Sequence, residues 1–377
     1  MKQLVLIGFL LVLKLSLQSQ TIDFGAGVRL VEIDSKVLGE VRELLIYSPN
    51  FESGNNLKYP TLYVLDGREN MRLTLGIISN LVRANVIPEV NVVGINNYDY
   101  DRLKDLTPAP DTLNNDFGGA DLFLRFLETE LIPEAQKNLV NSKFRVLIGH
   151  SLGGLFSTYV LIREPDLFEG YLQIGSSYWF NEEAIPGALL SENVDDITNK
   201  ALYFSLSNET DSKEGFDLLQ RELPKKTKNV LFEYLENTDH VTGLTPAMFN
   251  GLQFVFRDWG GWDKLYESND FEGIKTKIAY LSSEFDMDVR PQVPQLAFYA
   301  RRNTEKGSFD RAIEVLTYLE SFHPEHIMVL NFLGEAYQKK GENIKAKEIY
   351  QRSMKVAGKT RSPMKRWILE RLTELGN

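Results

Sequence analysis

The chain has 377 residues, 43% hydrophobic and 25% charged, which is the composition of an ordinary globular protein and a length that suggests two domains. A formal net charge of −10 with no basic stripe argues against a nucleic-acid partner. There is no cysteine, so disulfides, thiolate metal sites and cysteine nucleophiles are excluded.

Residues 1–20 read as a secretory signal. Lys2 supplies the positive start, Leu4 to Leu13 an apolar run, and Ser16 to Ser19 a small-residue exit. The run is short for a bilayer span and Lys14 interrupts it. The expectation is a secreted or periplasmic protein without a membrane span after cleavage, a setting that a chain without cysteine fits if it is stable without staples.

Residues 24–48 hold short β-type runs ending in Glu43-Leu44-Leu45-Ile46-Tyr47, and residues 49–56 form a polar turn. Tyr59 to Leu65 is a continuous apolar strand closed by Asp66-Gly67, and Asn91 to Ile95 is another. Ala120 to Leu131 has helical periodicity and is expected to stop before Pro133. Further strands follow at Phe144 to Ile148, Gly170 to Ile174, Ala201 to Leu206 and Val230 to Leu235. Helical stretches such as Phe216 to Glu222 and Ala247 to Arg257 lie between and after them. Strands alternating with helices predict an α/β fold, a mostly parallel sheet with helices on both faces and an antiparallel pair at one edge.

After Trp259-Gly260-Gly261-Trp262 the pattern becomes helical to the end. Gly307 and Gly341 stand 34 apart, as do Ala312 and Ala346, and Leu316 and Tyr350. With Leu333-Gly334-x-x-Tyr337 this resembles the tetratricopeptide repeat, a helix–turn–helix unit of that period. Two repeats are counted, with a weaker one around Gly273. The expected division is a signal at 1–20, an α/β domain at 21–260 and an all-α repeat domain at 262–377. The repeats would offer a protein partner a concave surface.

The chemistry centres on Gly149-His150-Ser151-Leu152-Gly153-Gly154, a G-x-S-x-G sequence between a β-branched run and a helix-like run. In a nucleophile elbow the turn is so tight that the flanking positions must be nearly free of side chain, and the hydroxyl is lifted to the N-terminus of the next helix. Ser151 is therefore the expected nucleophile. Of the four histidines, His150 lies inside the elbow, and His323 and His326 lie in the helical tail and read as surface residues. His240, on the loop after the last strand, remains as the base. A carboxylate should follow the preceding strand, and Glu209 and Asp211 both qualify on spacing. The oxyanion donors are expected to be the main-chain N–H groups of Leu152 and Arg68, with Gly67 letting the backbone approach. Tyr178, Trp179, Tyr98 and Tyr100 are candidates for the pocket wall, and Arg68 and Arg102 for holding an anionic group.

The segment Tyr59-Pro60-Thr61-Leu62-Tyr63-Val64-Leu65-Asp66-Gly67 resembles the first-loop signature of the putative-esterase family of α/β-hydrolases, which includes esterase D and the enterochelin esterases. Gly94-Ile95-Asn96-Asn97, with Arg102, Asp105, Leu106, Thr107 and Pro108, is similar to its second signature. Gly149 to Gly154, Ser176-Ser177-Tyr178-Trp179 and Asp239-His240 follow in the family's order, so that the likeness spans residues from about 25 to 257. The resemblance implies ester hydrolysis or acyl transfer without a cofactor or metal. It also favours Glu209, 31 residues before His240, over Asp211. The leading expectation is an exported serine esterase with a Ser-His-Glu triad, acting on a small-molecule ester such as a siderophore or acylated sugar. The alternatives are an acyltransferase of the same fold, and a catalytically silent hydrolase shell whose repeats bind a protein.

Overall fold

The structure, a computed structural model, describes residues 27–376 except 55, 98, 109–116, 181–183, 192–196, 269 and 361. The expected signal at 1–20, Tyr98 and the side chain of Tyr100 lie outside the described residues. Eight strands form one sheet: β1 Val28–Asp34, β2 Val41–Tyr47, β3 Tyr59–Leu65, β4 Asn91–Ile95, β5 Asn141–His150, β6 Gly170–Ile174, β7 Ala201–Ser207 and β8 Val230–Leu235. Their order is β1-β2-β4-β3-β5-β6-β7-β8. β2 runs antiparallel to both of its neighbours and every other pairing is parallel.

Every residue of β3, β4, β6 and β7 is buried, which is why these strands are continuous apolar runs rather than alternating ones. The two-residue period still sorts their side chains. Leu62 and Val64 join one core with the helices Gly67–Arg83 and Leu244–Val255. Tyr63 and Leu65 join a second core on the opposite face, with the helices Ala120–Phe126 and Leu152–Arg163. The result is a mostly parallel sheet covered on both faces, the α/β-hydrolase architecture.

Two local expectations are corrected. The helix beginning at Ala120 does not stop before Pro133; it widens into a π-turn at Leu127–Leu131 and continues as Ile132–Asn138. Proline lacks an N–H and its ring crowds the carbonyl four residues back, so a widened turn lets the helix pass through it. The segment expected to be only a polar turn contains a short helix, Pro49–Ser53, capped by the Ser48 hydroxyl.

Seven helices follow Gly261 among the described residues: Trp262–Glu267, Phe271–Glu284, Val293–Glu305, Phe309–Phe322, Ile327–Lys340, Asn343–Lys359 and Lys365–Glu374. Gly307 and Gly341 occupy equivalent turns between paired helices, both with left-handed φ, of +82° and +92°. Ala312, Ala346, Leu316 and Tyr350 are buried where the helices meet. Gly273 is not their counterpart. It lies in the first turn of Phe271–Glu284, where its N–H is bonded to the capping Asp270 carboxylate, so the weaker third unit expected there is not built the same way.

The apolar core does not end at residue 260. Phe285 packs edge-on against Phe144 at 4.8 Å between ring centroids and lies 5.4 Å from Phe256. The core on that face of the sheet continues from Val64 through Ile274 and Leu281 to Leu330 and Val356. Polar contacts cross the same seam. The Lys143 N–H donates to Asp286 Oδ2 at 2.9 Å, and Lys58 Nζ donates to Asp286 Oδ1 at 3.2 Å. No helix among the described residues is long and apolar enough to cross a membrane.

Candidate active site

β5 ends at His150 and the next helix begins at Leu152, so Ser151 alone makes the turn. Its backbone, at φ 62° and ψ −122°, lies where non-glycine residues rarely go and where roughly 1–3 kcal/mol of strain is stored. A side chain at Gly149 would come within 2.0 Å of the Gly153 carbonyl oxygen, so bare backbone there is a steric requirement of the elbow. At Gly153 an added Cβ would meet only ordinary contacts at 3.5 Å, so that glycine is not demanded by space.

The loop after β6 is stitched to the elbow. The Ser151 N–H donates to the Ile174 carbonyl at 3.0 Å, and the Ser177 N–H to the Ser151 carbonyl at 3.1 Å. The Ser177 hydroxyl then lies 3.3 Å from Ser151 Oγ. Among the described residues no hydrogen bond joins Ser151 Oγ to His240. Such bonds commonly tighten only when substrate arrives.

His240 Nδ1 lies 2.6 Å from Glu209 Oε2. A carboxylate accepts, so Nδ1 carries the proton and Nε2 is left as the basic nitrogen. The hydrogen bond that His240 donates to Glu209 raises the His240 pKa above the ordinary 6.5, against a smaller opposing effect of burial. The acid is 17% exposed and the histidine 40%, so the carboxylate is sheltered while the base still faces solvent. Asp211 is exposed and accepts from the Thr210 hydroxyl instead. Of the two carboxylates left open by spacing, Glu209 is the one at the imidazole. Backbone without a side chain at Gly175, just after β6, makes room for the pair: a Cβ there would stand 3.2 Å from Glu209 Oε1 and 3.5 Å from His240 Nδ1.

Leu152 and Arg68 both stand at the start of helices, Leu152–Arg163 and Gly67–Arg83, whose first N–H groups have no acceptor within the helix. The Arg68 guanidinium bonds Glu43 Oε2 at 2.7 Å. Arg102 is not poised for an anionic ligand as expected. Its Nε and Nη2 bond both oxygens of Asp66 at 2.8 and 3.1 Å, and Nη2 reaches the His150 carbonyl at 3.4 Å. It braces the Asp66 turn against the elbow, because a planar guanidinium matches a carboxylate two atoms at a time.

Tyr178 is likewise corrected. It is 1% exposed, and its hydroxyl lies 3.0 Å from Thr158 Oγ1 under the elbow helix. Trp179 beside it is 52% exposed and free to meet a ligand. His323, expected on the surface, is half-buried with Nε2 3.2 Å from the Pro291 carbonyl, a bond within the helical tail. Sequence reasoning placed Ser177 in a family signature without giving it a role, and passed over the pairing of Asp66 with Arg102. The adjacency of Ser176-Ser177 to the end of a strand parallel to β5 is the signal that would have found the first.

A nucleophile elbow on a mostly parallel, two-sided sheet defines the α/β-hydrolase class. Residues 35–212 match the family model described as Putative esterase, a likeness that supports carboxylic ester hydrolysis. The match includes Ser151 and Glu209 and ends before His240. The chain is similar to the ferri-bacillibactin esterase BesA of Bacillus subtilis (strain 168), 32% identical over 151 residues, which is 34% of this chain and 50% of that protein. It thus spans half the length of that relative. Among solved structures it is similar to an IroE-like serine hydrolase from Shewanella oneidensis, with 22% identity and a TM-score of 0.60 over 78% of this chain and 99% of the other. An uncharacterised protein from Capnocytophaga ochracea DSM 7271 has 17% identity and a TM-score of 0.63, over 92% of this chain and 99% of the other. At these identities the two structures speak for the fold, and the second likeness extends into the helical tail.

Proposed function

We propose that the chain is an exported serine esterase in which Ser151 is the nucleophile, His240 the base and Glu209 the acid. The observation that carries this reading is the 2.6 Å bond from His240 Nδ1 to Glu209, set beside a serine held at φ 62°. Ser151 Oγ gives its proton to His240 Nε2 as it attacks the ester carbonyl. The oxyanion is received by the N–H groups of Leu152 and Arg68, reinforced by the N-terminal ends of two helices. Collapse of this intermediate expels the alcohol, protonated by His240. Water, deprotonated by the same nitrogen, then releases the acid from Ser151. A base 40% exposed is within reach of water, which favours hydrolysis over transfer to another alcohol.

The substrate proposed is a small-molecule ester of the siderophore or acylated-sugar kind, and the likeness to a ferri-bacillibactin esterase supports the first of these. Trp179 would meet the aromatic or acyl part. Residues 21–260 would carry the chemistry. Residues 262–377 would form tetratricopeptide-like repeats that receive a protein partner, in keeping with an apolar-lined cavity of about 460 Å³ between Phe298, Phe332 and Trp367. Residues 1–20 would direct export. The test is labelling of the purified protein by a fluorophosphonate probe. Covalent labelling abolished by Ser151→Ala is expected, and a wild-type protein that does not react while hydrolysing no ester in a screen of aryl, acetyl-sugar and siderophore esters would refute the proposal.

A further inference from the structure

His150 occupies the variable position of the elbow, and nothing in the reaction above uses it. Its ring is mostly buried, and Nε2 lies 2.8 Å from the main-chain carbonyl of His240. A carbonyl only accepts, so His150 must hold its proton on Nε2 and donate it. The two imidazoles are also in contact, with ring centroids 4.5 Å apart and planes tilted by 35°. The residue before the nucleophile therefore grips the residue proposed as the base by its backbone, across ninety positions of sequence.

We propose that His150 is a positioning residue: its Nε2–H anchors the loop that carries His240, and so holds the base at the elbow. The other anchors act elsewhere: Glu209 holds the imidazole at Nδ1, 2.6 Å away, and does not hold the main chain of the loop. Asp239 accepts from the Val241 and Thr242 N–H groups and the Gly243 N–H returns to the Asp239 carbonyl, but these bonds shape the turn without tying it to β5. The Asn208 N–H donates to the Thr238 carbonyl, which ties the loop to the end of β7 and leaves its far side to His150. The charged groups that reach the two rings are Glu209, Asp239, Asp66 and Arg102. Burial and the neighbouring His240 lower the His150 pKa, while Glu209 raises that of His240. As pH falls His240 takes its proton first, so His150 stays a neutral donor throughout the range in which the base is active.

The inference rests on the catalytic reading of Ser151 and His240, and the experiment keeps the two apart. His150→Gln keeps an N–H donor on a side chain of similar reach; His150→Phe keeps the ring and removes the donor; His150→Met removes both. All are made in the full chain and followed by thermal unfolding, kcat and KM on p-nitrophenyl acetate across pH 5–9, and amide hydrogen exchange of the peptide covering 236–243. His150→Phe and His150→Met are expected to lower kcat by about 10- to 100-fold with KM within about twofold, since the partly buried His240 carbonyl is left without its donor and the loop without its tie to the elbow. The same variants should speed exchange in that peptide. His150→Gln should restore most of kcat, keep exchange slow and leave the pH midpoint in place. Normal kcat and slow exchange in His150→Phe would overturn the inference, as would a folded His150→Gln as impaired as His150→Phe. Should His150→Phe not fold, the contrast of His150→Gln with His150→Met decides in the same way. An inactive wild type would refute the catalytic reading alone, because hydrogen exchange still tests the anchor.

Discussion

The sheet and the helical tail both turn their chain sharply, but by different means. At the sheet's C-terminal edge the sharpest turn is made by Ser151, a residue for which its backbone angles are costly. Its surroundings over-determine it: two main-chain bonds to the β6 loop and a glycine that could bear no side chain. In the tail the equivalent turns at Gly307 and Gly341 use the residue for which left-handed φ is free, and nothing lies within 4 Å of where a side chain would go. Ser151 holds strain where chemistry is proposed, whereas these two tail turns avoid it; Asp286, at φ +43°, is a tail residue that does not. The two regions nevertheless share one apolar core through Phe144, Phe256 and Phe285. The comparison can be broken at either end.

The largest effect is expected at the strained end. Ser151→Ala and His240→Ala should each lower kcat/KM on a small aryl ester by on the order of 10⁴-fold, and the double variant should be little worse, because nucleophile and base act as a unit. Stopped assays on the three purified variants check this; near-normal turnover in either single variant would remove the assignment.

Phe285→Ala tests the shared core. A buried phenylalanine truncated to alanine costs about 3–5 kcal/mol. If the seam is one cooperative core, calorimetry should give a single unfolding transition shifted downward as a whole. A second transition appearing below an unshifted main one would instead separate the tail from the sheet. Next in size is the acid. Glu209→Gln should lower kcat by on the order of 10²-fold or more through loss of the favoured tautomer, while the exposed Asp211→Asn should stay within about twofold. The reverse ranking would exchange their roles.

The pH profile is a finer probe of the same pair. Attack needs neutral His240, whose pKa is raised by Glu209, so kcat/KM should rise with pH through a midpoint above 6.5. The stabilising effect of the pair runs the other way: it is full below the unfolded value of the histidine and lost as pH rises through the folded one. Glu209→Gln should therefore move the activity midpoint down. A profile flat from pH 5 to 8 would contradict a histidine base.

Much of this was legible in the sequence because local chemistry dictated it. Gly170 to Ile174 and Val230 to Leu235 are read to the residue, since an apolar run bounded by turn residues admits one reading. The elbow turn and the placing of His240 beside Glu209 are legible as geometry, because few residue types suit a strained turn or an imidazole–carboxylate pair. What was hidden depended on partners distant in sequence. Tyr178 and Trp179 are adjacent and chemically alike, yet one is sealed under the elbow helix and the other faces solvent, and no periodicity in a loop distinguishes them. Arg102 reads as a ligand for anions until Asp66 is seen against it. The helix through Pro133 depends on a widened turn that no single residue announces. Gly260-Gly261 looks like a boundary because it is one locally, while the core that crosses it is assembled from residues over a hundred positions apart.

The smallest effect is expected at the relaxed end, and it isolates the difference between the regions. Gly307→Ala places a Cβ where nothing stands within 4 Å, so only the left-handed φ of +82° is penalised. That costs about 1 kcal/mol, offset in part by the reduced freedom of the unfolded chain. Unfolding in urea should show a small drop in midpoint with unchanged slope, and kcat/KM on the aryl ester should not move, because the turn touches no group near Ser151. Gly149→Ala is the matched comparison. It adds the same methyl group, but 2.0 Å from the Gly153 carbonyl oxygen, so the elbow itself must shift. Activity should be lost there well beyond any loss of stability. If the two alanine variants instead lost activity to the same degree, the tail turn would be coupled to the site and the contrast between strained and relaxed turns would have no functional content.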